Sequence, residues 1–230
     1  MPMNKFLLLL VFVFGSIFAV SVIQAKDMTD EELNAAAPPI DSQHVSAITI
    51  DSRAPDFTLP NADGRPRSLS GFLETGPVIL SFYRGDWCPV CNDQLYAYQE
   101  ILPEFQELGA QLVAVSPQKP ESTQDESTKD YLTFEVLSDE GNKVARQYDL
   151  IWTVPEESRE EFSQWLKGET GKTLAEFNGI DNYELPIPAT FVIAQDGTVV
   201  YVFRDKDYRK RASNEDIIQA LENLAKHDPM

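Results

Sequence analysis

A short apolar run near the middle of the chain limits the folds that this sequence can adopt. Residues 77–83, PVILSFY, carry no charge, yet the run is too short for a helix that crosses a core. Continuous apolar runs of this length are typical of strands buried on both faces, which occur in parallel sheets covered by helices. The run therefore predicts a central strand in an α/β domain.

Strand signals and helix signals alternate along most of the chain. Residues 111–116 and 134–139 have the pattern of short buried strands, and residues 189–203 form two β-rich runs joined by an Asp196-Gly197 turn, which predicts a hairpin. Strands that alternate with helices imply a largely parallel sheet with right-handed crossovers.

Helices are predicted where apolar residues recur at helical spacing. The segments are residues 95–108, with a kink at Pro103; a polar helix around residues 121–132; a short helix at 142–148; a helical insertion within 154–179; and a C-terminal helix at 214–226, capped by Asn214. The insertion interrupts the alternation, and its one apolar face predicts that it packs on the core.

The N-terminal segment has the pattern of an export signal. Lys5 precedes an uncharged apolar run over residues 6–22, and Ala25 precedes a polar, acidic stretch, which suits a cleavage site. The alternative is an uncleaved membrane anchor, although the run is short for a span. We predict an exported protein, periplasmic or extracellular, with a signal peptide at residues 1–25, an arm or linker at 26–50 and one domain at 51–230.

The charge of the chain excludes some classes of partner. Its 37 acidic residues outnumber its 19 basic residues, which gives a net charge of −18. Phosphate backbones and anionic lipid surfaces repel such a chain, so nucleic-acid binding is not expected. The basic run RDKDYRKR, residues 204–211, opposes this trend and is interpreted as a solvated loop.

Both cysteines of the chain lie soon after the predicted central strand, in the motif WCPVC. Pro89 suits the first position of a helix, which places Cys88 at the cap and Cys91 in the first turn. Unpaired N–H groups and the helix dipole at this end favour a thiolate over a thiol. Cysteines one turn apart are also close enough for a disulfide, so the motif indicates a redox pair.

Three other interpretations of the pair compete with redox chemistry. A structural disulfide would close so small a loop that it restrains the unfolded chain very little. A metal site needs further ligands, and the chain has only two histidines, His44 in the arm and His227 near the C-terminus. A buried, inert pair is disfavoured by the charged and polar residues on either side of the motif. No metal or other cofactor is therefore expected.

Five stretches of the chain match a known family in order. They are APDFTLPNADGRPRSLS, FYRGDWCPVCNDQL, QLVAVSPQ, FEVLSDEGN and LPIPATFVIAQDGTVVYVFRDKDYRKRA, and they extend from Ala54 to the C-terminal helix. They resemble the peroxiredoxin-like branch of the thioredoxin-fold superfamily, the alkyl hydroperoxide reductase/thiol-specific antioxidant group. The resemblance implies a thioredoxin-like fold over residues 51–230, with a central mixed sheet, helices on both faces and a helical insertion before a cis-proline strand.

The resemblance also implies roles for particular residues. Members of the family carry a PxxxTxxC loop whose final cysteine attacks the peroxide, and that cysteine corresponds to Cys91. Cys88 stands where the family has Thr or Ser, Arg84 where it has Pro, and Pro188 where it has a second catalytic arginine. The segment IPATF instead resembles the cis-proline strand entry of thioredoxins, with Pro188 facing the cysteine pair.

A thiol peroxidase acting on hydrogen peroxide or organic hydroperoxides is the function that the resemblance implies. Cys91 would attack the peroxide, Cys88 would form a disulfide with it, and an external dithiol such as thioredoxin would reduce that disulfide. Arg84 would stabilise the thiolate and orient the peroxide, or else be a solvated loop residue. Trp87 would shield the site from water, or else serve packing alone. The resemblance is compatible with a homodimer.

Two other classes of function compete with this one. A thiol-disulfide oxidoreductase acting on protein disulfides outside the cytoplasm would use Cys88 as nucleophile and Cys91 as resolving thiol, with Pro188 bordering a groove for the substrate. A redox-sensing or binding protein would carry the same disulfide but turn over slowly. The missing Thr and Arg favour the oxidoreductase, whereas the length and order of the matching stretches favour the peroxidase.

Overall fold

Strands and helices alternate through most of the part of the chain that the computed structural model describes, residues 48–122 and 131–227. The strands are β1 (Thr58–Pro60), β2 (Pro66–Ser68), β3 (Val78–Phe82), β4 (Gln111–Ser116), β5 (Glu135–Ser138), β6 (Ile151–Thr153), β7 (Glu184–Pro186), β8 (Ala189–Ile193) and β9 (Val199–Arg204). The α-helices are α1 (Leu69–Leu73), α2 (Pro89–Glu100), α3 (Leu102–Glu107), α4 (Lys143–Gln147), α5 (Arg159–Thr170), α6 (Leu174–Asn178) and α7 (Asn214–His227).

Strand β3 lies at the centre of a five-stranded mixed sheet with the order β5-β4-β3-β8-β9. It runs parallel to β4 and antiparallel to β8, while β4 and β5 are parallel and β8 and β9 are antiparallel. All five residues of β3 are buried, which confirms that the run at 77–83 forms the central strand. The sheet is less parallel than the alternation of elements predicts, because the β8–β9 hairpin joins it beside β3.

Helices cover both faces of the sheet, as predicted. Successive side chains of a strand point to opposite faces, so β3 contributes to two separate apolar clusters. Ile79 packs in one cluster with residues of α2, α3, α5 and α7, such as Leu95 and Phe162. Leu80 packs in the other cluster with residues of α1 and α4, such as Phe72. The cysteines belong to the first cluster, so the site lies on the face that carries α2 and α5.

The predicted helices differ from the structure mainly at their ends. The kink expected at Pro103 is a complete break, since α2 ends at Glu100 and a new helix, α3, begins at Leu102 with the proline in its first turn. Ser213, rather than Asn214, caps α7, because its Oγ accepts a hydrogen bond from the Asp216 N–H at 3.1 Å. The predicted insertion is confirmed as α5 and α6.

Three predicted segments lie mostly or wholly outside the described residues. Most of the predicted polar helix around residues 121–132 lies there, although residues 120–122 form one 3-10 turn. The predicted signal peptide and all but the last three residues of the predicted arm also lie there. In residues 48–122 and 131–227, no helix has both the length and the apolar character needed to cross a membrane.

Two small sheets accompany the central one, β1 with β2 and β6 with β7, and the β6–β7 sheet directly before β8 was not predicted. Strands β6 and β7 pair antiparallel, and the Ile187 N–H donates to the Leu150 carbonyl at 2.6 Å. The prediction of a cis-proline at Pro188 is wrong, because none of the peptide bonds in the described residues is cis. The chain passes from β7 into β8 as a nearly continuous extended segment, in which the trans form is the more stable isomer.

Candidate active site

The loop between β3 and α2 presents the two cysteines. Cys88 is the N-cap of α2, and its carbonyl accepts hydrogen bonds from the N–H groups of Cys91 at 3.0 Å and Asn92 at 3.1 Å. Pro89 occupies the first helical position, as the sequence predicts. Neither cysteine is in a disulfide, and both are almost completely buried, with 3% of Cys88 and 1% of Cys91 exposed.

Contacts with the end of β4 hold this loop in place. The Asp86 N–H donates to Gln118 Oε1 at 2.9 Å, and Gln118 Nε2 donates to Asp86 Oδ1 at 2.5 Å. From the other side, Asn92 Nδ2 donates to the Asp86 carbonyl at 2.6 Å. Gly85 has φ of +143°, and a Cβ atom there would lie 2.5 Å from Trp87 Nε1, so this turn of the loop requires glycine.

The two thiols have opposite acid–base character. Burial raises the pKa of Cys91, but a hydrogen bond from Cys88, the charge of Arg211, a backbone hydrogen bond at Arg84 and the charge of Arg84 together lower it to about 6. The hydrogen bond to Cys91, burial and the charge of Cys91 raise the pKa of Cys88 well above its ordinary value. At neutral pH the site therefore holds one thiolate, at Cys91, and one thiol, at Cys88.

Arg84 is a buried cation beside the cysteine pair. Only 7% of the residue is exposed, and its guanidinium carbon lies 4.8 Å from the centre of the Trp152 ring and 4.3 Å from that of Tyr208. Burial lowers the pKa of Arg84, whereas the cysteines of the pair act to raise it when they are ionised. The alternative that Arg84 is a solvated loop residue is therefore wrong.

The segment between β9 and α7 reaches the site, which the sequence analysis did not predict. Tyr208 is buried against Arg84, and Arg211 Nη2 donates to Cys91 Sγ at 3.6 Å. The interpretation of residues 204–211 as a solvated loop is thus wrong for these two side chains, although Arg209 and Lys210 are exposed. A tyrosine inside a run of charges was the one sequence signal that a part of this segment is buried.

Trp87 and Pro188 both lie at this end of the sheet. Trp87 is 9% exposed and packs edge-on against Phe162 and Trp165 of α5, with ring centres 5.8 and 6.2 Å away. The insertion thus packs against the tryptophan that precedes Cys88. Pro188 is buried directly before Ala189, which pairs with the last residue of β3. Its register therefore places it at the end of the sheet where the cysteine loop begins.

The described residues offer no set of metal ligands around the thiols. Within residues 48–122 and 131–227, no group of three or more His, Cys, Asp or Glu side chains is arranged to hold a metal ion. The guanidinium group of Arg211 contacts the Cys91 sulfur, and the positive charge of Arg84 also favours the thiolate there. The arrangement suits a stabilised thiolate that reacts with an oxidant or a disulfide.

The acidity of Cys91 predicts the pH dependence of its reactivity. Because only the thiolate attacks an electrophile, the alkylation rate should be low below pH 6 and rise through a midpoint at about 6. The measurement is the rate of iodoacetamide modification from pH 4.5 to 9, with Cys88→Ser as the matched form in which only Cys91 can react. A midpoint near 9.0, the ordinary pKa of cysteine, in both the wild type and Cys88→Ser would contradict the conclusion that the site stabilises the Cys91 thiolate.

Comparison with known proteins identifies the family. The family model described as "AhpC/TSA family" matches residues 50–202, which is more than half of the chain. The chain therefore belongs to the AhpC/TSA family, as the motifs in the sequence predict.

Individual relatives agree with this assignment. Chloroplastic peroxiredoxin Q of Sedum lineare is 37% identical over 124 residues, which cover 52% of this chain and 66% of the relative. Chloroplastic peroxiredoxin Q of Oryza sativa subsp. japonica is 38% identical over 112 residues, covering 47% and 51%. The chain thus spans about half to two thirds of the length of these curated relatives.

Solved structures confirm the predicted thioredoxin-like fold. The peroxidoxin BcpB of Mycobacterium tuberculosis superposes with a TM-score of 0.57 and 22% identity, covering 76% of this chain and 97% of that one. Peroxiredoxin Q of Xanthomonas campestris gives a TM-score of 0.52 and 21% identity, with coverage of 74% and 90%. At these identities the likeness establishes the fold.

Proposed function

We propose that the chain is a thiol peroxidase that reduces hydrogen peroxide or organic hydroperoxides through Cys91 and Cys88. The observation that carries this proposal is the asymmetry of the pair. Arg211 contacts Cys91 at 3.6 Å, and the Cys88 thiol donates a hydrogen bond to the same sulfur. The relatives named peroxiredoxin Q support the same activity.

The first step forms a sulfenic acid. The Cys91 thiolate attacks one oxygen of the hydroperoxide, so that an S–O bond forms and the O–O bond breaks. The sulfur is oxidised by two electrons, and the other oxygen leaves as an alkoxide or hydroxide that takes up a proton to become the alcohol or water. Arg84 and Arg211 place positive charge beside the reacting sulfur, where negative charge moves onto the leaving oxygen.

The second step forms a disulfide within the first turn of α2. The Cys88 sulfur attacks the sulfenic sulfur of Cys91, an S–S bond forms, and the hydroxyl leaves with the Cys88 proton as water. An external dithiol such as thioredoxin then reduces the disulfide and is itself oxidised. Because both sulfurs are almost completely buried, a protein donor reaches them only after the covering segments move.

The acid–base character of the pair favours the peroxidase over a protein-disulfide oxidoreductase. The oxidoreductase reaction begins with a Cys88 thiolate attacking a bulky substrate. Cys88 is instead the thiol of the pair, its pKa raised by the hydrogen bond to Cys91 and by burial, and it is 3% exposed. These observations support Cys91 as the attacking residue.

The proposal predicts a fixed stoichiometry. One equivalent of hydrogen peroxide added to the reduced protein should remove both thiols, and the peptide that contains them should lose two hydrogens in the mass spectrum. Trp fluorescence should change in the same reaction, because Trp87 adjoins Cys88. Protein alkylated beforehand is the control. Peroxide that remains while both thiols persist would refute the proposal.

We also propose that residues 1–25 are a cleaved export signal and that residues 51–230 form the functional domain. The pattern of Lys5, apolar run and Ala25 supports the signal. Sequencing the N-terminus of the native protein should give a start near Lys26. A start at Met1, with recovery in a carbonate-resistant membrane pellet, would indicate the anchor instead.

A further inference from the structure

We propose that Arg211 determines which of the two cysteines attacks the substrate. The inference rests on the proposed peroxidase function and concerns the choice of nucleophile within it. A pair of thiols in one helical turn can present either sulfur as the thiolate, so a peroxidase with this motif needs a group that favours one of them. Arg211 lies where its positive charge can favour the thiolate at Cys91.

Arg84 and Arg211 differ in whether they favour the thiolate of both cysteines or of one. The charge of Arg84 favours the thiolate form of both Cys88 and Cys91, so Arg84 alone distinguishes them poorly. Arg211 Nη2 donates to Cys91 Sγ at 3.6 Å, and within the described residues it makes no hydrogen bond to Cys88. The selective charge at the site is therefore that of Arg211.

The loop that carries Arg211 is folded so that its guanidinium faces Cys91. Arg211 Nη1 donates to the Lys210 carbonyl at 2.9 Å, which fixes the plane of the group. The neighbouring basic residues pair with acidic residues of the same loop. Arg209 forms an ion pair with Asp207 at 2.9 Å, and Lys210 forms one with Asp205 at 3.0 Å. Arg211 is thus the basic residue of this loop that the fold directs to the thiol pair.

The helix terminus does not explain the preference by itself. Cys88 is the N-cap of α2 and Cys91 lies in its first turn, so both sulfurs are close to the positive end of the helix dipole. The N-cap position makes no side-chain hydrogen bond to the helix backbone. An additional positive charge next to one sulfur is therefore needed, and an opposite charge at this distance favours the thiolate by a factor of about 10 or more.

Removal of Arg211 should move the site toward disulfide exchange. With a larger share of thiolate at Cys88, that sulfur would attack a substrate disulfide, form a mixed disulfide and release one substrate thiolate. Cys91 would then attack Cys88, lose its proton and release the second thiolate, leaving the Cys88–Cys91 disulfide. The substrate disulfide is the oxidant in this sequence and is reduced to two thiols.

The test is the partition of a single alkylation between the two sulfurs. Reduced protein at pH 7 is treated briefly with less than one equivalent of iodoacetamide, and the modified cysteine is located by peptide fragmentation. In the wild type the label should lie mostly on Cys91. In Arg211→Gln and Arg211→Met, the ratio of Cys91 to Cys88 labelling should fall at least about tenfold, and Arg211→Lys should restore much of it.

A second set of measurements separates this effect from general damage. Lys206→Gln removes a positive charge from an exposed position of the same loop and should leave the ratio within about twofold of the wild type. Arg211→Met retains an apolar side chain that can pack in place of the arginine stem. The test therefore requires that only one of the two variants, Arg211→Gln or Arg211→Met, keep the circular dichroism spectrum of the wild type. If the ratio of Cys91 to Cys88 labelling were unchanged in a correctly folded variant without Arg211, the proposal would be overturned. Because the assay uses no peroxide, its result is independent of whether the protein reduces peroxides.

Discussion

Replacing Cys91 with serine should abolish the reaction of the reduced protein with hydroperoxides, lowering its rate by about 10³-fold or more. The structure gives the reason, because Cys91 carries the thiolate and the contact with Arg211. Cys88 cannot substitute for it, since burial and the missing arginine contact leave Cys88 a poor nucleophile at neutral pH. The measurement is stopped-flow consumption of hydrogen peroxide by each reduced variant.

Cys88→Ser is the matched control for this variant. A serine hydroxyl at position 88, where the family motif has Thr or Ser, can still donate a hydrogen bond to Cys91. This variant should consume one equivalent of peroxide and then stop, because no thiol is present to resolve the sulfenic acid. If Cys88→Ser were inert while Cys91→Ser formed mixed disulfides with protein substrates, the roles of the cysteines would be reversed.

Arg84→Met should separate catalysis from stability. Methionine fills the space between the rings of Trp152 and Tyr208 and removes the buried charge, so the peroxide reaction should slow by about 10²-fold. The free energy of unfolding should change by no more than about 2 kcal/mol, because the lost cation–π contacts are offset by the relieved desolvation of the cation. Peroxide kinetics and urea unfolding measure the two effects.

Arg159→Met is the control for removing an arginine from an aromatic contact. Arg159 lies 5.2 Å from the centre of the Tyr183 ring and donates to the Val154 carbonyl, but it has no contact with a cysteine among the described residues. Its replacement should lower stability slightly and leave the peroxide rate unchanged. If Arg84→Met behaved in the same way, Arg84 would have a packing role alone.

The elements with strong local signals were predictable from the sequence. The strand at 77–83 is buried on both faces, and the hairpin at 189–203 has a turn that only a few residue types form. In each case the pattern of adjacent residues determines the element. The start of α2 was equally predictable, because Pro89 is favoured at the first helical position. That placement puts the cysteine pair at the start of α2.

The charged part of the site could not be predicted in this way. Arg211 contacts Cys91 across 120 positions of the chain, and Arg84 contacts Trp152 and Tyr208, which are also distant from it in the sequence. Local composition describes residues 204–211 as a solvated run of charges, which is correct for the exposed side chains of Lys206, Arg209 and Lys210. Only the packing of the loop onto the first turn of α2 shows which arginine takes part.

The wrong prediction of a cis peptide bond at Pro188 has a related cause. The letters IPATF match the strand entry of thioredoxins, but the conformation of an X–Pro bond depends on the contacts of the preceding segment. Here that segment is β7, whose partner β6 is three residues long and has no distinctive pattern. The sequence match therefore located the proline at the correct end of the sheet without determining its isomer.

The most direct test of the account compares two reactions of the same reduced wild-type protein at pH 7. Stopped-flow Trp fluorescence gives its second-order rate constant with hydrogen peroxide and, separately, with a protein disulfide. With Cys91 as a thiolate beside two arginines, the peroxide reaction should exceed that of free cysteine by at least about 10²-fold, and the disulfide reaction should be slow. A peroxide rate equal to that of free cysteine, together with fast reduction of the disulfide, would contradict the assignment as a peroxidase.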